Sequence, residues 1–185
     1  MFFAERQAAK VPGLSKDTPL QTIKKVGVIG AGTMGGGISM NFANVGIPVK
    51  ILEMDQAALD KGLGIVKKNY EASAWKGRIS SEDVDVRMGL IEGTTNYSDL
   101  KDVDLVIEAV FENMDVKKEV FSKLNETVSE NTILASNTSY LDIDEIATVV
   151  DNPERVLGMH FFSPANIMRL LEIIKAEKTS PAILA

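Results

Sequence analysis

The stretch KKVGVIGAGTMGGGISM, Lys24–Met40, decides the fold. Its first half, KKVGVIG, is a short β-branched run that ends in glycine. The glycines are followed by apolar residues at helical spacing, so residues 31–46 read as a helix. Between strand and helix lies GAGTMG, which matches G-x-G-x-x-G from Gly30 to Gly35 with Thr33 and Met34 inside the pattern. The pattern alone is weak. Placed after a strand and at the start of a helix, it reads as a dinucleotide-binding turn. Gly30 allows the tight turn, Gly32 lets backbone approach a pyrophosphate, and Gly35 lets the helix pack on the strand. The free N–H groups and dipole of the helix start then hold the phosphates.

The next strand, VKILE (49–53), ends in an acid, Glu53, 23 residues after Gly30. An acid there accepts hydrogen bonds from the adenosine ribose and repels a 2′-phosphate. No arginine follows in MDQAALD, so NAD is expected in preference to NADP. Asp55 reads as a cap for the helix over 56–76.

Outward from this unit, strands and helices alternate. Residues 80–90 read as a helix capped by Ser80 or Ser81, LIEGTTN as a weak strand, and DLVIEAV (104–110) as a strong one. Residues 116–128 are amphipathic at helical spacing, 132–137 a strand, 141–150 a helix, 155–161 a strand, and LLEII (170–174) a last strand. The order predicts an α/β fold of Rossmann type, a doubly wound, mostly parallel sheet with helices on both faces. Residues 1–11 have the pattern of a short helix, and VPGLSKDTPL reads as a linker. The expected organisation is a helix and linker over 1–23 and a dinucleotide-binding domain over 24–185.

The 185 residues are enough for one sizeable domain, with 45% hydrophobic and 25% charged residues. A net charge of −6 argues against nucleic acid or an anionic membrane as the main partner. The absence of cysteine excludes disulfides, thiolate metal sites and a cysteine nucleophile; one histidine excludes a histidine-based metal cluster. No apolar run reaches the roughly 18 residues of a membrane span. An intracellular compartment is the simplest expectation, bacterial cytoplasm first and an organelle matrix second.

The single histidine, His160, ends the strand pattern over 155–161, and Glu172 stands inside the apolar run LLEII. Strand alternation puts Leu170, Glu172 and Ile174 on one face. An unpaired carboxylate buried there would cost several kcal/mol, so Glu172 either lies at the strand end or has a partner. Strand C-termini border the ligand crevice of such a sheet. A His–carboxylate pair suits proton transfer to or from a hydroxyl. Spacing alone leaves a structural ion pair as the alternative.

GAGTMGGGI, LVIEAVFEN, VKKEVF, ASNTS and GMHFFSPANIMRLLEII occur in this order. Together they resemble the NAD-binding domain of L-3-hydroxyacyl-CoA dehydrogenases, over roughly residues 24–178. FFAERQAAKVPGL resembles the segment that joins an enoyl-CoA hydratase part to the dehydrogenase part in multifunctional fatty-acid oxidation proteins. The resemblance implies oxidation of a 3-hydroxyacyl-CoA to the 3-ketoacyl-CoA in β-oxidation, with a hydratase domain in the same parent chain and homo-oligomers in the family's range. It implies that His160 is the base, Glu172 its partner, and Ser139 the hydroxyl that bonds the reacting oxygen. It also implies that Asn137 lies near the nicotinamide end and that Glu112 and Lys117 are cofactor-site residues. On the residues alone, Ser139 reads equally as a helix cap for LDIDEI; for Lys117 the alternative is a solvated helix face. Ser163 stands where many family members have asparagine. Family members continue with one more strand and a helical domain that closes over the acyl-CoA. The resemblance therefore implies that cofactor binding survives in these 185 residues while turnover needs that further part. Two rivals are a small 3-hydroxy-acid dehydrogenase with a lysine base and a cofactor-binding module without chemistry.

Overall fold

The computed structural model describes residues 11, 14, 15 and 17–185. The helix expected over 1–11 lies outside the described residues, Val11 excepted. Val26–Ile29 forms β1, and all four of its residues are buried because both faces of the strand are covered. Thr33–Asn44 forms α1, which begins later than the pattern predicts because Ala31 and Gly32 belong to the loop. Val49–Leu52 is β2, Gln56–Trp75 is α2 and Ser81–Gly89 is α3. Ser80 caps α3 through a reciprocal pair of bonds with Asp83, and Asp55 caps α2 through the N–H of Ala58. Ile91–Thr94 is β3, followed by one 3₁₀ turn at Tyr97–Leu100 that the sequence pattern does not announce. Leu105–Glu108 is β4 and Met114–Thr127 is α4. Helix α4 starts two residues before the expected boundary because Asn113 caps it, accepting from the N–H of Val116.

Ile133–Ser136 is β5 and Ile143–Ala147 is α5, shorter than the expected 141–150 because Asp142 caps it late. Val156–Phe161 is β6, Leu171–Lys175 is β7 and Pro181–Leu184 is α6. The strands lie in the order β3-β2-β1-β4-β5-β6-β7. Strands β1 to β6 are parallel, and β7 runs antiparallel to β6.

Alternate residues feed two cores. Val26, Val28, Val49, Ile51 and Ile107 pack with Ile38 of α1 and Leu59 and Val66 of α2. Ile29, Leu52, Val106 and Leu134 pack on the other face with Phe121 and Leu124 of α4 and Ile146 of α5. Gly27 leaves room for Leu100, whose Cδ2 would lie 3.2 Å from an added Cβ.

One expectation needs correction. The apolar run LLEII suggests a strand buried on both faces, yet Glu172, Ile173, Ile174 and Lys175 are exposed. Continuous apolarity signals two-sided burial only for interior strands. Here the run forms the sheet's last strand, paired on one side only.

The chain order reverses at β1, which lies between β2 and β4. A crevice opens there at the strand C-termini, the place where open α/β sheets bind ligands.

Candidate active site

The glycine loop has the backbone its sequence requires. Gly30 sits at φ +98°, a left-handed conformation, and an added Cβ would lie 2.9 Å from the carbonyl oxygen of Ala109. At Gly35 an added Cβ would lie 1.8 Å from the Gly30 carbonyl oxygen, so only glycine lets α1 start against β1. Gly32 differs: nothing lies within 4 Å of its Cβ position. A side chain there would project into open space at the helix start.

That helix start differs from those of the four helices that follow it. Helices α2, α3, α4 and α5 each carry a side-chain cap, from Asp55, Ser80, Asn113 and Asp142. Helix α1 has Gly32 at its N-cap, no side-chain cap and no acid in its first turn. Its orphan N–H groups and dipole are left for a ligand anion. Thr33 and Met34, its first two residues, line a cavity of about 540 Å³ with Gly30, Gly32 and Glu53. The loop, the uncapped helix and the acid therefore fit a dinucleotide, with the pyrophosphate before α1.

Glu53 does more than wait for a ribose. Its Oε2 accepts from the N–H of Ala31 at 3.0 Å and its Oε1 from the N–H of Met54 at 2.8 Å. These bonds tie the end of β2 to the glycine loop. A carboxylate has about four acceptor sites, so capacity remains for ribose hydroxyls. Asp55, as expected, caps α2, which leaves Glu53 to the loop.

On the other side of the crevice, His160 and Glu172 stand directly opposite each other in the β6–β7 ladder. His160 Nδ1 lies 2.9 Å from Glu172 Oε2. Antiparallel partners share a face, which is why a spacing of twelve residues brings the two together. The side chains are 19% and 52% exposed, so the pair is open rather than entombed. The ring of His160 also packs on Phe162, with centroids 4.7 Å apart. The carboxylate at Nδ1 orients the imidazole and leaves Nε2 without a hydrogen bond among the described residues.

Between these two regions lies a network that the sequence reading recognised only in part. Lys117 is buried, not on a solvated helix face: its side chain is 1% exposed. Its Nζ donates to Glu108 Oε1 at 2.8 Å and Oε2 at 3.0 Å, and it lies 3.3 Å from Glu112 Oε2. Glu108, wholly buried at the end of β4, also accepts from the N–H of Val110 at 2.7 Å and the Ser136 hydroxyl at 2.6 Å. Glu112 accepts from the Thr138 hydroxyl and, at 2.7 Å, from the N–H of Ser139. Partial burial alone would raise the pKa of Glu112. The donors at Thr138 and Ser139 and the Lys117 ammonium outweigh it, holding the carboxyl below the ordinary glutamate range.

Ser139 is exposed and does not cap α5; Asp142 does, accepting from the N–H of Asp144. Asn137 donates its N–H to the Glu108 carbonyl and accepts at Oδ1 from the N–H of Phe161, 2.8 Å in each case. It thereby fastens the end of β5 to the residue beside His160. Glu112, Lys117, Asn137 and Ser139 form one connected group next to the cavity rather than on its wall. Glu108, Ser136 and Thr138 are members that the motif reading passed over. The available signal was an acid at the end of an otherwise apolar strand, LVIE.

Residues 25–185 match the family described as "3-hydroxyacyl-CoA dehydrogenase, NAD binding domain". The chain belongs to this family. Over its full length it is 40% identical to the peroxisomal fatty acid β-oxidation multifunctional protein MFP2 of Arabidopsis thaliana, of which it spans 26%. It is 46% identical over 156 residues to a 3-hydroxybutyryl-CoA dehydrogenase of Clostridioides difficile, covering 84% of this chain and 56% of that one. The fold superposes on the (S)-3-hydroxybutyryl-CoA dehydrogenase PaaH1 of Ralstonia eutropha with a TM-score of 0.84 at 40% identity, covering 86% of this chain and 56% of the other. It also superposes on the dehydrogenase part of multifunctional enzyme 1 of C. elegans, with a TM-score of 0.83 at 27% identity, over 98% of this chain and 44% of that one. The chain thus spans about a quarter of the multifunctional relative and about half of the shorter dehydrogenases. Among the described residues no helix is long and apolar enough to cross a membrane.

Proposed function

We propose that this chain is the cofactor-binding part of an NAD-dependent dehydrogenase that oxidises L-3-hydroxyacyl-CoA to 3-ketoacyl-CoA in fatty-acid β-oxidation. The observation that carries the reading is the His160–Glu172 pair, 2.9 Å apart, at the C-terminal side of the crevice that the glycine loop opens. His160 Nε2 takes the proton of the 3-hydroxyl while Glu172 fixes the tautomer and stabilises the imidazolium. The Ser139 hydroxyl bonds the reacting oxygen. Glu112 and Asn137 shape the nicotinamide side, and Glu53 holds the adenosine ribose and disfavours a 2′-phosphate. NAD, when bound, supplies the hydride acceptor.

The burial of Lys117 between two carboxylates supports the histidine over a lysine base, which weighs against the small 3-hydroxy-acid rival. The reading divides the chain into an N-terminal helix and linker over 1–23 and a cofactor domain over 24–185, with the acyl-CoA closed over by a domain outside this stretch. By likeness to the multifunctional relatives, a hydratase domain shares the parent chain, and the complete protein works in the bacterial cytoplasm or an organelle matrix. Its assembly into homo-oligomers belongs to the same reading.

Calorimetric titration of the polypeptide with NADH and, in parallel, NADPH tests the cofactor half. Binding of NADH with much weaker NADPH is expected, and binding of neither sinks the glycine-loop reading. For the chemistry, His160→Gln in the complete enzyme should abolish most of kcat, and a variant with full activity would refute the assignment of the base.

A further inference from the structure

Glu108 is the most buried acid in the site and has no place in the mechanism above. Its four hydrogen bonds come from three groups: Lys117, the Val110 N–H and the Ser136 hydroxyl. That setting suits a carboxylate. Lys117 answers one negative charge, yet two carboxylates surround it, Glu108 and Glu112. Lys118, next along the helix, points its ammonium elsewhere and pairs with Glu145 at 2.7 Å. The group Glu108–Lys117–Glu112 therefore carries one negative charge in excess.

Its location gives that charge a target. The pyrophosphate position lies before α1 and the adenosine lies on the β2 side at Glu53, so the other half of a dinucleotide extends over the ends of β4 and β5. Those ends carry Glu112, Thr138 and Ser139. Glu112 is the member that faces outward, its side chain 28% exposed. The oxidised nicotinamide ring bears one positive charge more than the reduced ring.

Resting on the NAD reading, we propose that Glu108, Lys117 and Glu112 act as one electrostatic unit that favours the oxidised cofactor over the reduced one. Glu108 is the positioning residue in this unit: it holds Lys117 back, so that the ammonium neutralises only part of the acidic charge. Without Glu108, Lys117 would answer Glu112 alone and the excess would vanish. The unit sets how strongly the site discriminates between the two redox states, apart from how well it fits the dinucleotide they share. Its effect is to favour retention of the form that accepts hydride and release of the form that carries it.

The test is the ratio of Kd for NAD+ to Kd for NADH, measured by calorimetry on the unaltered chain and on Glu112→Gln and Glu108→Gln. Each substitution removes one negative charge at nearly constant shape. The expected result is that Glu112→Gln weakens NAD+ about fivefold to twentyfold, as loss of a unit charge about 10–15 Å from the ring would at an effective dielectric of about 20. NADH should change less than about twofold. Glu108→Gln should move the ratio in the same direction. If Glu108→Gln does not fold, Glu112→Gln alone decides, because its side chain is partly in solvent. Equal weakening of both forms, or an unchanged ratio, overturns the proposal and leaves the residues a purely structural part. No binding of either form by the unaltered chain overturns the NAD reading and this inference with it.

Discussion

Two pairs of nearly equal length stand at the C-terminal side of this sheet and differ in almost everything else. Lys117 Nζ lies 2.8 Å from Glu108 with both side chains sealed from water, at 1% and 0% exposure. His160 Nδ1 lies 2.9 Å from Glu172 with 19% and 52% exposure. The first pair is anchored by further donors from Val110 and Ser136 and by a second carboxylate. The Glu172 carboxylate has no hydrogen bond besides that to His160 among the described residues, and it sits on an edge strand. Distance therefore says little about the work a pair does. A buried pair is held because removing one partner leaves a charge stranded. An open pair contributes little to stability, since water screens it. The buried group serves as framework; the open pair is the one that solvent and a reactant can reach.

The largest expected effect tests the buried side. Lys117→Met should lower the free energy of unfolding by about 3–5 kcal/mol, because Glu108 then remains buried without its cation. Urea denaturation monitored by circular dichroism would measure it. A loss under about 1 kcal/mol would erase the contrast between the pairs. A smaller effect is expected for Ser136→Ala, which deprives Glu108 of one donor at 2.6 Å. The expected cost is about 1–3 kcal/mol in the same denaturation assay. No cost would mean that the network does not need every member.

The same contrast explains what the sequence could show. The glycine loop, Glu53 and the alternation of strands and helices were legible because local chemistry dictates them. GAGTMG after a strand admits few other readings, and the serines at 80 and 81 announce a helix start, which the structure assigns to Ser80 with Asp83. His160 and Glu172 were legible from the strand pattern as a candidate pair, with a structural ion pair as the alternative, and only the resemblance gave the pair a role. Their contact depends on β7 turning back along β6, which no short-range pattern states. For Lys117 a solvated helix face stayed open beside the cofactor-site reading, because helical spacing places charges without saying which of them meet an acid from another element. Glu108 was passed over since one acid at the end of LVIE looks like an ordinary strand end until β5 brings Ser136 beside it. The exposed run in β7 failed for a related reason: apolar composition alone does not tell an edge strand from an interior one.

Acidification reaches the partly exposed member of the buried group. Thr138, Ser139 and Lys117 hold the Glu112 carboxyl below the ordinary glutamate value of 4.5. A lowered folded value means that the stabilisation is complete above 4.5 and is lost as pH falls through the lower one. Melting temperature should therefore fall more steeply below pH about 4.5 in the unaltered chain than in Glu112→Gln, which has no proton to take up there. Parallel curves for the two proteins would show that the hydrogen bonds to Thr138 and Ser139 do not couple to stability.

The smallest expected stability effect belongs to Glu172→Gln. With Glu172 about half in solvent, the pair should contribute less than about 1 kcal/mol, so the denaturation midpoint should barely move. The glutamine keeps a hydrogen-bonding oxygen near Nδ1 but no longer carries the charge that stabilises an imidazolium. In the complete enzyme the same substitution should lower kcat by about a hundredfold or more, with a smaller change in KM. The prediction has force because its two halves point in opposite directions. A large loss of stability would place this pair with Lys117–Glu108 as framework. Intact stability with intact kcat would leave the carboxylate without a role. Intact stability with a collapsed kcat is the result that separates a pair kept for chemistry from a pair kept for the fold.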